Sequence, residues 1–161
     1  MIYLFTGPIR SGKTSSLLDW SRKRGDVGGF LTPDHESSRV LMTLPELTVY
    51  KLQTQADVQV VTVGRYRFAQ SAFDTASQHV LAQLTDSHIR VIILDELGKL
   101  ELRGSGHHQL IRSILSKELD KSFVIVCRED LVIAARQKFF AGREVQIIES
   151  IRDLPTVFSE K

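Results

Sequence analysis

The chain has 161 residues, 42% of them hydrophobic and 25% charged, with 21 Lys+Arg against 19 Asp+Glu. This is one domain's length with enough apolar residues for a core, which excludes a disordered tail, a collagen-like fibre and a disulfide scaffold. The net charge of +2 gives no compositional case for nucleic acid or an acidic membrane surface.

Further classes fall away. The single cysteine, Cys127, can form no disulfide within the chain and no Cys-based zinc site. Apolar runs such as Ile2–Phe5, Val91–Leu94 and Phe123–Cys127 are far shorter than the ~18 residues of a membrane helix. The N-terminus lacks the charged region of a secretory signal. The expectation is a soluble, cytoplasmic protein.

In chain order, Ile2–Thr6 is a short apolar run entering a turn at Gly7-Pro8, and so a strand. A helix is expected from Lys13 to about Arg24, closing on Gly25, with Arg22, Lys23 and Arg24 at the negative end of its dipole. Gly28–Thr32 reads as a second strand. Arg39–Leu44, Leu47–Leu52 and Val58–Val63 are β-branched, partly alternating runs broken by Pro45-Glu46 and by Gln53–Asp57. They predict a small antiparallel β insertion over residues 33–63.

Ala69–Leu84 is the clearest helix, with Ala72, Phe73, Ala76 and Val80 on one face. Val91–Leu94 is a continuous apolar run, as expected of a strand buried on both faces. Leu110, Ile111, Ile114, Leu115 and Leu119 mark another helix. Ser122–Cys127 and Glu144–Ile148 follow as strands, with a helix near Asp130–Phe139 between them. Strands alternating with helices predict an α/β three-layer sandwich, its mainly parallel central sheet covered on both faces. No linker divides residues 1–161, so one domain is expected.

Gly7-Pro8-Ile9-Arg10-Ser11-Gly12-Lys13-Thr14 matches G-x-x-x-x-G-K-[ST] without a mismatch, after a strand and before a helix. Glycines let consecutive backbone N–H groups curl around a phosphate, and the helix N-terminus adds its positive end. Lys13 then reaches the β- and γ-phosphates, and the Thr14 hydroxyl can ligate Mg²⁺. One position matches this pattern by chance at about 3–4 in 100,000, well under one in a hundred chains of this length. The motif predicts a P-loop that binds a nucleoside triphosphate such as ATP or GTP.

The second signal is Val91-Ile92-Ile93-Leu94-Asp95-Glu96, an apolar strand ending in two carboxylates. An acid at the carboxyl end of a sheet strand sits where α/β proteins place their ligands. Beside a P-loop, Asp95 reads as the second Mg²⁺ anchor with Thr14. Glu96 directly after it reads as the base that orients and deprotonates an attacking water. The blander alternative for Glu96 is a solvated loop carboxylate.

Four segments then occur in a telling order: Gly7–Thr14, Gly29-Phe30-Leu31-Thr32, Val63-Gly64-Arg65-Tyr66, and Asp95-Glu96-Leu97-Gly98-Lys99-Leu100-Glu101-Leu102. Over nearly its whole length the chain resembles the P-loop nucleoside-triphosphatase family that includes the thermostable and the cancer-related nucleoside-triphosphatases. The resemblance implies Mg²⁺-dependent hydrolysis of nucleoside 5′-triphosphates to diphosphate and phosphate, with broad base tolerance and slow turnover. It places Lys99 and Glu101 at the mouth of the site among the nucleotide-binding residues. Lys99 either neutralises phosphate charge or pairs with Glu101 at the surface. The chain departs from the family pattern after Thr32, where Pro33-Asp34-His35-Glu36 stands with Arg39 as the only nearby base. It departs again at Arg103–His108, which reads as a longer, more flexible loop.

Arg65, Arg67 and Arg103 are candidates for stabilising transition-state charge. The adjacent His107 and His108 face different directions on a helix and make a poor metal pair. His35, His79 and His88 lie in polar surroundings and read as surface residues, and Cys127 as a small core residue. Two rivals to the hydrolase remain at this stage. One is a nucleoside or nucleotide kinase, which needs an acceptor and usually an arginine-rich lid. The other is a nucleotide-dependent adaptor with little turnover. Base preference, protein partners and oligomeric state are not legible.

Overall fold

The computed structural model of the chain describes residues 1–56, 59–117 and 119–156. Among the described residues ten strands and five α-helices follow in order: β1 Ile2–Phe5, α1 Lys13–Ser21, β2 Val27–Leu31, β3 Asp34–His35, β4 Ser38–Leu44, β5 Val49–Lys51, β6 Val60–Val63 and β7 Tyr66–Ala69. Then come α2 Gln70–Gln83, β8 Val91–Leu97, α3 Lys99–Leu102, α4 His108–Leu115, β9 Ser122–Cys127, α5 Val132–Phe139 and β10 Gln146–Ile148.

The main sheet has the order β10-β1-β9-β8-β2-β4-β3, with β5 on the other side of β4. From β10 to β2 every pairing is parallel, and β4 then runs antiparallel along β2. Side chains alternate between the two faces with the period of a pleated strand. Leu4, Ile92, Leu94 and Ile125 point to one face, where Phe73, Ala76 and Val80 of α2 and Ile111 and Ile114 of α4 cover them. Tyr3, Phe5, Ile93 and Val124 point to the other, against Leu17 of α1. The three-layer α/β sandwich with a mainly parallel sheet is as the alternation of elements predicts.

The insertion differs from expectation in two ways. Its strand β4 is hydrogen-bonded to β2 and so extends the central sheet. The hairpin of β6 and β7 runs on to Ala69, six residues past the expected end at 63. The strand Tyr66–Ala69 was missed because it is short and abuts the helical pattern of α2 without a breaker. Val58, the expected first residue of the preceding strand, lies outside the described residues.

The sheet's odd join is made by small residues. A Cβ on Gly29 would lie 2.0 Å from the Ile93 carbonyl oxygen, and its φ of +98° is one that L side chains rarely adopt. Beside it, Gln83 of α2 accepts from Gly29 N–H at 2.7 Å and donates to the Leu44 carbonyl at 2.7 Å. A buried glutamine thus ties the parallel part of the sheet to its antiparallel extension.

Helix α1 ends at Ser21, earlier than its charge pattern suggests. Arg24 lies beyond the helix, where it forms an ion pair with Asp26 at 2.7 Å and packs over Trp20. A strong local partner and a cation–π contact outcompete the weak dipole term for this side chain. No helix among the described residues is long and apolar enough to cross a membrane.

Candidate functional site

The loop between β1 and α1 carries the G-x-x-x-x-G-K-T residues at the carboxyl end of the parallel strands. Pro8, Ile9, Arg10, Ser11 and Gly12 are exposed there. Gly12 takes φ +82° as the N-cap of α1 and offers no capping side chain. The first backbone N–H groups of the helix are therefore free to meet an anion. The Lys13 ammonium folds back over the loop and donates to Gly7 O at 3.0 Å, Pro8 O at 2.7 Å and Ser11 Oγ at 3.2 Å.

Strand β8 continues through Asp95 and Glu96 to Leu97, past the apolar run that defines it in the sequence. Its pairing with β9 shifts register between Leu94 and Leu97, where the two carboxylates lie. Asp95 is buried. Its Oδ2 accepts from Thr14 Oγ1 at 2.8 Å and from Thr32 N–H at 3.1 Å. Burial pushes the Asp95 carboxyl above its ordinary range, and these two hydrogen bonds offset the shift only in part. Glu96 is about one-third exposed, with Arg39 Nη1 3.8 Å from its Oε1. Desolvation and then the charge of Asp95 push Glu96 up as well, against Arg39.

The other expected residues divide. Lys99 is exposed at the start of α3 and borders a cavity that opens beside Glu96. Glu101 borders the same cavity but is no surface partner of Lys99. It is 3% exposed, and its two oxygens accept from Gly98 N–H at 2.8 Å and His107 N–H at 2.9 Å. Burial holds its carboxyl above the ordinary range. Glu101 thus braces the turn that follows the Asp95-Glu96 strand.

Of the three candidate arginines, none borders that cavity. Arg65 bonds the Tyr66 hydroxyl at 3.2 Å, Arg67 reaches the Ala56 carbonyl at 3.4 Å, and Arg103 caps α3. The arginines that do border it are Arg39 and Arg128. Arg128 went unnoticed, although it is the first residue after β9, and the strand-end rule that finds Glu96 would find it too.

The segment Arg103–His108, expected to be flexible, is folded tightly onto α3. Ser105 N–H donates to Leu100 O at 3.0 Å, and the His108 ring meets Glu101 O at 2.8 Å. His107 is buried between Phe30 and Phe73, at ring distances of 4.4 and 4.8 Å. Burial pushes its imidazole down to about 3, so it is neutral at physiological pH. Cys127 is fully buried with its thiol pushed up to about 12, in keeping with a core residue. His79 is half-buried and bonds the Leu44 carbonyl at 2.8 Å.

A parallel α/β sheet with this glycine-lysine-threonine loop after its first strand defines the nucleotide-binding P-loop proteins. Within that class the chain belongs to the NTPase family, whose profile matches residues 2–155. The fold is similar to that of THEP1 from the hyperthermophile Aquifex aeolicus, with a TM-score of 0.68 at 20% identity over 92% of this chain and 89% of that one. It is also similar to a human cancer-related nucleoside triphosphatase, with a TM-score of 0.63 at 21% identity over 94% and 89% of the two chains. No curated protein sequence matches the chain.

Proposed function

We propose that the protein hydrolyses nucleoside 5′-triphosphates such as ATP and GTP to the diphosphate and phosphate, with Mg²⁺ as cofactor. The observation that carries this reading is the 2.8 Å hydrogen bond from Thr14 to Asp95. It draws the end of the phosphate loop and the carboxylate of β8 into one polar cluster with Glu96 alongside.

The residues fit the metal. The Thr14 hydroxyl and the Asp95 carboxylate are hard oxygen donors side by side, the kind Mg²⁺ prefers. Asp95 is also a buried acid whose charge is only partly offset by its neighbours. Thr14 and Asp95 would hold the ion, and when bound it supplies charge neutralisation at the β- and γ-phosphates.

The chain's own groups do the rest. Backbone N–H groups from Ile9 to Thr14 hold the phosphates at the helix N-terminus. Lys13 exchanges its loop acceptors for phosphate oxygens. Glu96 orients a water in line with the γ-phosphorus and takes its proton as the new O–P bond forms and the bond to the β-phosphate oxygen breaks. The raised affinity of Glu96 for a proton suits that role, because a base works best when its pKa approaches the working pH. Lys99, exposed at the edge of the neighbouring cavity, is the cation that would offset charge on the outgoing phosphate.

The test is phosphate release from each triphosphate with Mg²⁺ and with EDTA, in the parent and in Lys13→Ala. Turnover should need the metal, and Lys13→Ala should lose about 1.5–3 kcal/mol or more of phosphate interaction. Normal hydrolysis in EDTA, or in Lys13→Ala, would overturn the reading.

A further inference from the structure

The cavity beside Glu96 has a volume of about 220 Å³. An attacking water needs far less, since its share of liquid volume is roughly 30 Å³. The cavity's position is specific. Asp95 and Glu96 form one end of it, while none of the loop residues Gly7–Thr14 contributes to its lining. Given the P-loop reading, on which this argument rests, Thr14 and Asp95 mark the terminal-phosphate end of a bound triphosphate. The cavity therefore adjoins the terminal-phosphate end of that site without being lined by the loop.

Its walls are aromatic. Tyr66 and Phe68 stand stacked with ring centres 6.3 Å apart, and Phe73 meets Phe68 edge-on at 6.5 Å. Tyr66 keeps 41% of its surface open, and the Arg65 guanidinium lies over its ring, 5.2 Å from the centre, so a ligand would stack there by displacing an exposed side chain. Three cations from separate elements surround this apolar space: Arg39 of β4, Lys99 of α3, and Arg128 after β9. Arg39 is only loosely matched, at 3.6 Å from Asp34 and 3.8 Å from Glu96, and Lys99 has no partner among the described residues. Arg128 is held by Asp130 at 2.7 Å. Finally, the buried His107 borders the cavity with its Nδ1 lacking any hydrogen-bond partner. That atom is itself sealed from solvent, so the ring contributes an apolar wall to the cavity.

We propose that the cavity is a second ligand site, separate from the phosphate loop, for a planar aromatic molecule that carries an anionic group. Stacking on Tyr66 and Phe68 suits any nucleobase-like ring, because every such ring offers a π-face. Arg39 and Lys99 suit a phosphate or carboxylate. A nucleoside 5′-monophosphate has this chemistry and is the probe of choice.

The experiment is calorimetric titration of AMP, GMP, CMP and UMP into protein already saturated with Mg²⁺ and a non-hydrolysable triphosphate. At least one monophosphate should bind to the saturated protein, and should bind equally to Lys13→Ala, in which the phosphate loop is disabled. Tyr66→Ala, on an exposed hairpin, and Val63→Glu, which places bulk and negative charge in the cavity, should each weaken that binding at least tenfold. Circular dichroism on the same samples confirms the fold. The proposal falls if no monophosphate binds, if the triphosphate or Lys13→Ala abolishes binding, or if both cavity variants bind like the parent. Failure of the triphosphate itself to bind would count against the P-loop reading, and the monophosphate titration of the nucleotide-free protein would still judge the cavity.

Discussion

The Thr14 hydroxyl donates to the Asp95 carboxylate at 2.8 Å across 81 residues of sequence. Thr32 N–H reaches the same oxygen from the end of β2, so one carboxylate ties together the phosphate loop and two sheet strands. The expected behaviour of the site follows largely from this buried charge.

Asp95→Asn should separate stability from activity. A carboxyl whose folded pKa is raised contributes stability below its unfolded value and loses it as the pH rises through the folded one. Burial therefore makes the charged form of Asp95 a burden on the fold. Asparagine keeps an acceptor for Thr14 and Thr32 and removes the charge. A higher melting midpoint is expected, with Mg²⁺-dependent hydrolysis lost. Thermal melts and phosphate release on one preparation test both halves.

Glu96→Gln should bind triphosphate and Mg²⁺ about as well as the parent while hydrolysis falls by roughly 10²–10⁴, or about 3–5 kcal/mol of transition-state stabilisation. The parent's rate should rise with pH through the Glu96 pKa, along an acidic limb above the 4.5 of an ordinary glutamate. Single-turnover rates from pH 5 to 8 read this limb, which should be absent in the glutamine variant.

His107 should make the protein acid-sensitive. Its folded pKa is depressed to about 3, so the unfolded chain takes up a proton below about 6.5 and the folded protein does not. Stability from this group is present above pH 6.5 and is lost as the pH falls. Between pH 6 and 4 the loss should be about 2–3 kcal/mol. In His107→Phe, which can pack between Phe30 and Phe73, denaturant midpoints should fall less steeply over the same range.

Gly29→Ala should cost about 3 kcal/mol or more, because its Cβ would meet the Ile93 carbonyl oxygen at 2.0 Å in a backbone conformation alanine resists. Denaturant titration should show the lower midpoint, or the variant should fail to accumulate as folded protein.

Much of this was legible in the residues. The most strongly patterned elements were placed within a residue or two: Ala69–Leu84 became α2 Gln70–Gln83, and Ser122–Cys127 is β9 as expected, whereas α1 and α4 end three or four residues earlier than expected. Short or edge elements escaped, because three or four residues carry too little pattern; Tyr66–Ala69 is the example. The loop from Gly7 to Thr14 and the Asp95-Glu96 pair were readable because their chemistry depends on neighbours along the chain. Glu101 was recognisable as part of a motif, yet its bonds to the Gly98 and His107 amides were not.

What the sequence by itself determined is local: the longer strands and helices, the phosphate loop, and the carboxylates at the end of β8. Only the tertiary structure decided which arginines face the site, passing over Arg65, Arg67 and Arg103 for Arg39 and Arg128. It also decided that His107 is buried and neutral, and that β4 completes the central sheet. The physical reason is range. Backbone propensity and motif spacing act between residues a few positions apart, whereas burial, hydrogen-bond partners and electrostatic neighbours arise between residues brought together only when distant strands align.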